Sequence, residues 1–150
     1  MSSPTAIEYL QNAIFIKNLD AQSGNAAISR MLDRLRAHPR VQDFEQFSAD
    51  VFDRQQTDPP LLPGGVAFPH ARTNGVSSLV MVIATCHQPI SFGEVLIRLI
   101  FLVGVPKRAG RDYLELISFI ARHLRKEGAI DQLSASEDIS SLVAAFANNP

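Results

Sequence analysis

Two runs of branched apolar residues, Leu79-Val80-Met81-Val82-Ile83-Ala84 and Leu99-Ile100-Phe101-Leu102-Val103, constrain the fold more than any other feature of the chain. Neither alternates between apolar and polar positions, as a strand with one wet face would. Both are too short for free-standing helices, and capping residues are missing at their ends. They read as strands buried on both faces, which requires helices above and below one sheet. A buried helix segment is the alternative that periodicity leaves open. The expected architecture is α/β: a single-domain three-layer sandwich, its mixed central β-sheet flanked by helices on both faces.

The helices to cover such a sheet are legible around these runs. Ile28, Met31, Leu32 and Leu35 recur at helical spacing, with Pro39 as the stop. Asp43 and Gln46 have the spacing of a capping box, followed by an apolar face of Phe44, Phe47, Val51 and Phe52 that ends near Arg54. Asp112, with Glu115 three residues on, reads as the cap of a helix whose stripe is Tyr113, Ile117, Ile120, Ala121 and Leu124. Arg122, Arg125 and Lys126 suit its negative end, and Gly128 can close it. A short turn spans Ala129 to Leu133, and Ser136 reads as the opening of a last helix bearing Ile139, Leu142, Val143 and Phe146. Between the second and third of these patterns, Thr57-Asp58-Pro59-Pro60-Leu61-Leu62-Pro63-Gly64-Gly65 is too rich in proline and glycine to be regular and reads as a loop.

Composition narrows the function classes. The 150 residues are one domain's worth, 46% apolar and 19% charged, enough for one core. Fourteen basic against fifteen acidic residues leave a net charge of −1. With no basic stripe, nucleic acid is not an expected partner. The apolar runs are too short to span a bilayer, and Met1-Ser2-Ser3-Pro4-Thr5 lacks the charged and apolar regions of a leader. Cys86 is the single cysteine, so no internal disulfide framework is possible. The expectation is a cytoplasmic protein without direct membrane insertion.

The candidate chemistry sits in Gly64-Gly65-Val66-Ala67-Phe68-Pro69-His70. Val66 to Phe68 reads as a short strand. The proline after Phe68 favours extended geometry at that residue, and Pro69 has a fixed φ and no donor. His70 is thus delivered at a strand end in few directions, which suits a nucleophilic imidazole. An ordinary histidine in a strand-to-loop turn is the competing reading. Arg54 and Arg72 flank it in sequence, and guanidinium forks match phosphate oxygens, although surface solvation is the usual fate of an arginine. His38 and His123 suit helix ends. Cys86 reads as a small core residue and His87 as a loop residue. Nucleotide phosphate loops, a G-x-S-x-G elbow, H-E-x-x-H and paired cysteines are all absent from the sequence. No metal or other cofactor is expected.

The block Gly65-Val66-Ala67-Phe68-Pro69-His70 resembles the active-site signature of enzyme IIA of the phosphotransferase system, in the fructose–mannitol and nitrogen-regulatory class. Arg54 stands where that family places an arginine, and Leu99 to Pro106 resembles its apolar strand ending in a small residue and proline. The resemblance runs from about Ile7 to Phe146. It implies a phosphocarrier in which His70, through Nε2, takes a phosphoryl group from the phosphohistidine of HPr. The carrier then passes it to a IIB-type subunit or uses it as a regulatory signal. A regulatory binding module of the same fold that transfers nothing is the alternative. Arg54 would stabilise the charge, with Arg72, Gly64, Gly65 and Tyr113 as further phosphate-binding candidates. Tyr113 stands where the family often has a second histidine, and Gln55 where it usually has a glutamate. The proline-rich Pro59 to Pro63 replaces a small polar loop, which predicts fewer N–H donors around the phosphate.

Overall fold

The computed structural model of the chain describes residues 4–57, 59–109 and 111–147. Met1 to Ser3 of the N-terminal stretch, and Asp58 of the proline-rich segment, lie outside them. In chain order the elements are α1 (Pro4–Gln11), β1 (Ile14–Leu19), α2 (Gly24–Asp33), α3 (Phe44–Thr57), β2 (Leu61–Leu62), β3 (Val66–Ala67), β4 (His70–Thr73), β5 (Val80–Phe92), β6 (Val95–Pro106), α4 (Arg111–Leu124), α5 (Ala129–Ser134) and α6 (Ile139–Ala147).

The two apolar runs form the centre of a six-stranded mixed sheet, ordered β1-β5-β6-β3-β2, with β4 also paired to β6. β5 and β6 are antiparallel, with Ala84 opposite Ile100 and Met81 opposite Val103, whereas β1 runs parallel to β5. One face of the sheet packs Ile83, Leu99 and Phe101 against Leu10 of α1, Ile120 of α4 and Phe146 of α6. The other face packs Val82, Ile100 and Leu102 against Ile28 of α2 and Phe47 and Val51 of α3. Each large side chain removed from water in these layers contributes about 1.5–3 kcal/mol. The three-layer arrangement is therefore present as expected. No helix of the described residues is long and apolar enough to cross a membrane.

Several local expectations are corrected. The strand that carries the Phe-Pro-His block does not end at Phe68. Val66 pairs with Leu99, and His70 pairs with Val103 at the same offset, so β4 prolongs β3 through Pro69 without a register slip. The missing proline N–H interrupts the ladder, but the Pro69 carbonyl still accepts from the Val103 N–H at 3.0 Å. The proline-rich segment is not all loop: Leu61 and Leu62 pair antiparallel with Ala67 and Val66. This small hairpin turns through Pro63, Gly64 and Gly65, and both glycines take left-handed φ values of 92° and 88°, which side chains resist.

Helix ends also differ from their sequence signals. Ser23 caps α2, accepting from the Ala26 N–H at 3.1 Å, and the helix closes at Asp33, well before Pro39. His38 therefore lies beyond the helix, where its Nδ1 accepts from the Arg40 N–H at 3.1 Å. Asp43 caps α3 through the Gln46 N–H (3.1 Å), but the Gln46 side chain turns to Asp50 instead of completing the box. Asp112 lies within the first turn of α4, not ahead of it, and accepts from the Tyr9 hydroxyl at 3.1 Å. Asp138, whose carboxylate accepts from the Ser141 N–H at 2.8 Å, caps α6 in place of Ser136.

Candidate functional site

The site follows from where β4 lies. β4 pairs only with β6 among the described residues, so its other edge is open. In a parallel pair, alternate residues direct both backbone groups at the neighbouring strand. Pro69 directs its carbonyl at Val103, so His70 and Arg72 direct their backbone groups towards the open edge. Side chains alternate as well. Val66 and Phe68 pack on the α4 face, whereas Ala67 and Ala71 pack on the α3 face. His70 and Arg72 share the parity of Phe68, which brings His70 beside Tyr113 of α4, with ring centroids 5.5 Å apart and planes at 38°.

The C-terminal half of α3 comes round the same edge from the other face. Together the three elements enclose a cleft of about 390 Å³ lined by Asp50, Arg54, His70, Ala71, Arg72 and Tyr113. α3 reaches this position because Gly104 of β6 leaves room for it. A Cβ there would lie 2.7 and 2.8 Å from carbons of the Phe47 ring.

The orientation of His70 is fixed by one hydrogen bond. Nδ1 lies 2.8 Å from the Phe68 carbonyl oxygen. A carbonyl only accepts, so Nδ1 carries the hydrogen and donates it. The lone pair of the neutral ring is then at Nε2. Burial lowers the His70 pKa below its ordinary 6.5; the Phe68 carbonyl opposes that shift, and the positive charge of Arg54 adds to it. The neutral, nucleophilic ring is therefore the dominant form at neutral pH. Burial raises the Tyr113 hydroxyl above its ordinary value, while the charges of Arg54 and Arg72 pull it down. The phenol remains an uncharged donor within the field of both guanidinium groups.

Of the residues singled out in the sequence, His70, Arg54, Arg72 and Tyr113 are brought together. Gly64 and Gly65 are not. Five residues of extended chain separate Gly65 from His70, on the order of 16 Å, and the Gly65 carbonyl accepts from the Arg98 N–H at 2.8 Å near the opposite end of β6. Their work is the turn between β2 and β3. His87 and Cys86 line a separate depression with Arg98 and Asp131, and burial pushes the Cys86 thiol up to about 11, which leaves it a poor nucleophile. Gln55 borders another hollow, with Ser23 and Phe92. Among the described residues no group of three or more His, Cys, Asp or Glu is placed to hold a metal ion.

Two participants went unseen in the sequence. Asp50, one turn before Arg54, contributes a carboxylate to the cleft and accepts from Gln46 Nε2 at 2.9 Å. The Asp50–Arg54 spacing of four was a readable signal, since it places both on one helix face. The Phe68 carbonyl, which sets the His70 tautomer, had no sequence signal of its own.

The model of the family "Phosphoenolpyruvate-dependent sugar phosphotransferase system, EIIA 2" matches residues 8–149 of this chain. A relative from Escherichia coli (strain K12), the PTS system 2-O-alpha-mannosyl-D-glycerate-specific EIIABC component, is 24% identical over 152 residues. That match covers 93% of this chain but only 23% of the relative's length. Among solved structures, nitrogen regulatory protein IIA-Ntr from Neisseria meningitidis has a TM-score of 0.75 at 22% identity, covering 93% of this chain and 97% of that one. The complex of enzyme IIA mannitol and phosphorylated enzyme IIB mannitol from Escherichia coli aligns with a TM-score of 0.76 at 18% identity, covering 93% and 96%. At these identities the solved structures establish the shared fold. The match across nearly the whole chain places it in a family: this protein belongs to the EIIA 2 family of the phosphoenolpyruvate-dependent sugar phosphotransferase system.

Proposed function

We propose that this chain is a histidine phosphocarrier whose acceptor atom is Nε2 of His70. The observation that carries the reading is the hydrogen bond from His70 Nδ1 to the Phe68 carbonyl, which leaves the Nε2 lone pair for a cleft flanked by Arg54 and Arg72. The donor is the phosphohistidine of HPr, and the recipient is a IIB-type subunit, in keeping with the mannitol IIA–IIB complex that shares the fold. The similarity to IIA-Ntr supports use of the same phosphorylated state as a regulatory signal.

The step balances without a cofactor. The Nε2 lone pair attacks phosphorus as the donor's N–P bond breaks, and that bond's electron pair returns to the donor nitrogen. A new N–P bond forms at Nε2, while Nδ1 keeps its proton. The ring then carries a formal positive charge, and the Phe68 carbonyl accepts from its more acidic N–H. The transferring group is loose and anionic, so catalysis is positioning plus charge stabilisation. Arg54 and Arg72 supply charge, Tyr113 supplies a hydroxyl donor, and the backbone N–H groups on the open edge of β4 supply fixed dipoles. Incubation with phosphoenolpyruvate, enzyme I and HPr tests the proposal by intact mass. A gain of ~80 Da, one phosphoryl group, is expected, and an unchanged mass would reject the carrier role. Addition of a IIB-type subunit should then discharge the protein.

A further inference from the structure

The proline-rich segment that reads as poor in donors has a use for one missing donor. Leu62 lies opposite Val66 and Leu61 opposite Ala67 in the antiparallel β2–β3 pair. One step further, Pro60 lies opposite Phe68. Residues facing each other in such a ladder alternate between exchanging two N–H···O bonds and exchanging none. Pro60 and Phe68 occupy an exchanging position, because the Phe68 N–H donates to the Pro60 carbonyl at 2.8 Å. The reciprocal bond would run from the N–H of residue 60 to the Phe68 carbonyl, and proline has no N–H. The Phe68 carbonyl instead accepts from Nδ1 of His70, also at 2.8 Å.

We propose that Pro60 is a positioning residue for the nucleophile: by withholding a ladder donor from the Phe68 carbonyl, it reserves that oxygen for Nδ1–H of His70 and so holds the reactive lone pair at Nε2. A residue with an N–H at position 60 completes the ladder. The carbonyl is then shared between two donors, and its bond to the imidazole weakens. The neutral ring has only two tautomers, so every loss of Nδ1–H is a gain of Nε2–H, in which the nucleophilic position is blocked by hydrogen. Pro59 provides an internal contrast. It lies opposite Pro69, at the non-exchanging position of the same ladder, so a donor there does not aim at Phe68.

The test compares the full-length protein with Pro60→Ala and Pro59→Ala, using 15N-labelled imidazoles and long-range proton–nitrogen NMR above the His70 pKa. The native ring is expected as the Nδ1–H tautomer. Pro60→Ala should raise the Nε2–H population about five-fold, the change expected from weakening one neutral hydrogen bond. The new amide of residue 60 should be protected from hydrogen exchange. Pro59→Ala, which loosens the segment equally, should leave the tautomer ratio native. Replacement of Pro60 by N-methylalanine through peptide ligation removes the N–H again and should restore the native ratio. An unchanged ratio in Pro60→Ala, or equal shifts in Pro59→Ala and Pro60→Ala, would overturn the inference. The ratio is read without phosphoryl transfer. Failure of the carrier role would leave it standing, and its own failure would leave the carrier role intact.

Discussion

Replacing Gly104 by alanine should damage stability and chemistry together, through one displacement. Gly104 sits in β6 between Val80 of β5 and Ala71 of β4, directly under α3. The added Cβ would stand 2.7 and 2.8 Å from Phe47 ring carbons and 3.0 Å from a Val80 methyl. Ordinary carbon contacts are about 3.5–4.0 Å, so the ring must retreat by roughly 1 Å. Phe47 is 0% exposed and has no space to turn into; the helix carrying it has to lift. Overpacking of this kind costs about 1–3 kcal/mol, and in a chain of this size that lowers Tm by roughly 3–10 °C. Asp50 and Arg54 lie one and two turns further along the same helix, so the lift carries them away from His70. A misplacement of about 1 Å in a positioned charge costs up to ~100-fold in rate. Thermal unfolding and single-turnover phosphorylation by phospho-HPr measure the two effects. Adding Phe47→Leu to Gly104→Ala trims the clashing ring and should recover part of both losses, a non-additive result. A Gly104→Ala protein with native Tm and native rate would refute the idea that α3 is seated by close approach at this glycine.

Further outcomes follow from the site and from the buried histidines. Arg54→Lys keeps a positive charge but loses the guanidinium fork, and should slow phosphorylation about 10-fold. Arg54→Ala should slow it more and raise the His70 pKa, measured by NMR titration, because the arginine is one of the causes holding it down. Tyr113→Phe keeps the ring against His70 and removes only the hydroxyl, so the rate should fall several-fold while Tm stays native. Stability should fall on acidification below about pH 6.5, since burial holds His38, His70 and His123 all below the ordinary 6.5. The sign is fixed: the unfolded chain takes up these protons first, so full stability is present above 6.5 and is lost as pH drops towards the folded values. His123 is 3% exposed, and its Nε2 has no hydrogen-bond partner among the described residues. His123→Leu should therefore flatten the acid side of urea-midpoint-versus-pH curves, and an unaltered slope would exclude its buried ring as a cause.

What the sequence made readable depended on how local each signal was. The doubly buried runs at 79–84 and 99–103 were plain because both faces of the sheet are covered there. Their extensions to Phe92 and Val95 are covered on one face only, where Ile90, Phe92 and Ile97 pack in the layer of Ile28 from α2, so the continuous apolar pattern gives out there. β1 is half-buried, contains Lys17 and Asn18, and pairs with a shift near its end, so it has neither a clean alternation nor a continuous run. The family resemblance implies Gly64 and Gly65 as phosphate-binding candidates, yet five residues of extended strand set Gly65 on the order of 16 Å from His70. Their φ values show the turn they serve. Leu61 and Leu62 were masked by their prolines, whose consequence appears only once Phe68 is known to lie opposite Pro60. Arg54 and His70 share a cleft because a helix and a strand edge meet there, a long-range fact that no spacing between positions 54 and 70 encodes.

The carrier role turns on which atom of which residue takes the phosphoryl group. Proton–nitrogen–phosphorus NMR on the 15N-histidine-labelled protein, charged by phospho-HPr, reads this in one spectrum. Phosphorus coupling to Nε2 of His70 is expected, with Nδ1 still bearing its proton and no coupled signal in His70→Ala. Coupling to Nδ1, or a phosphoryl group on any other residue, would contradict it.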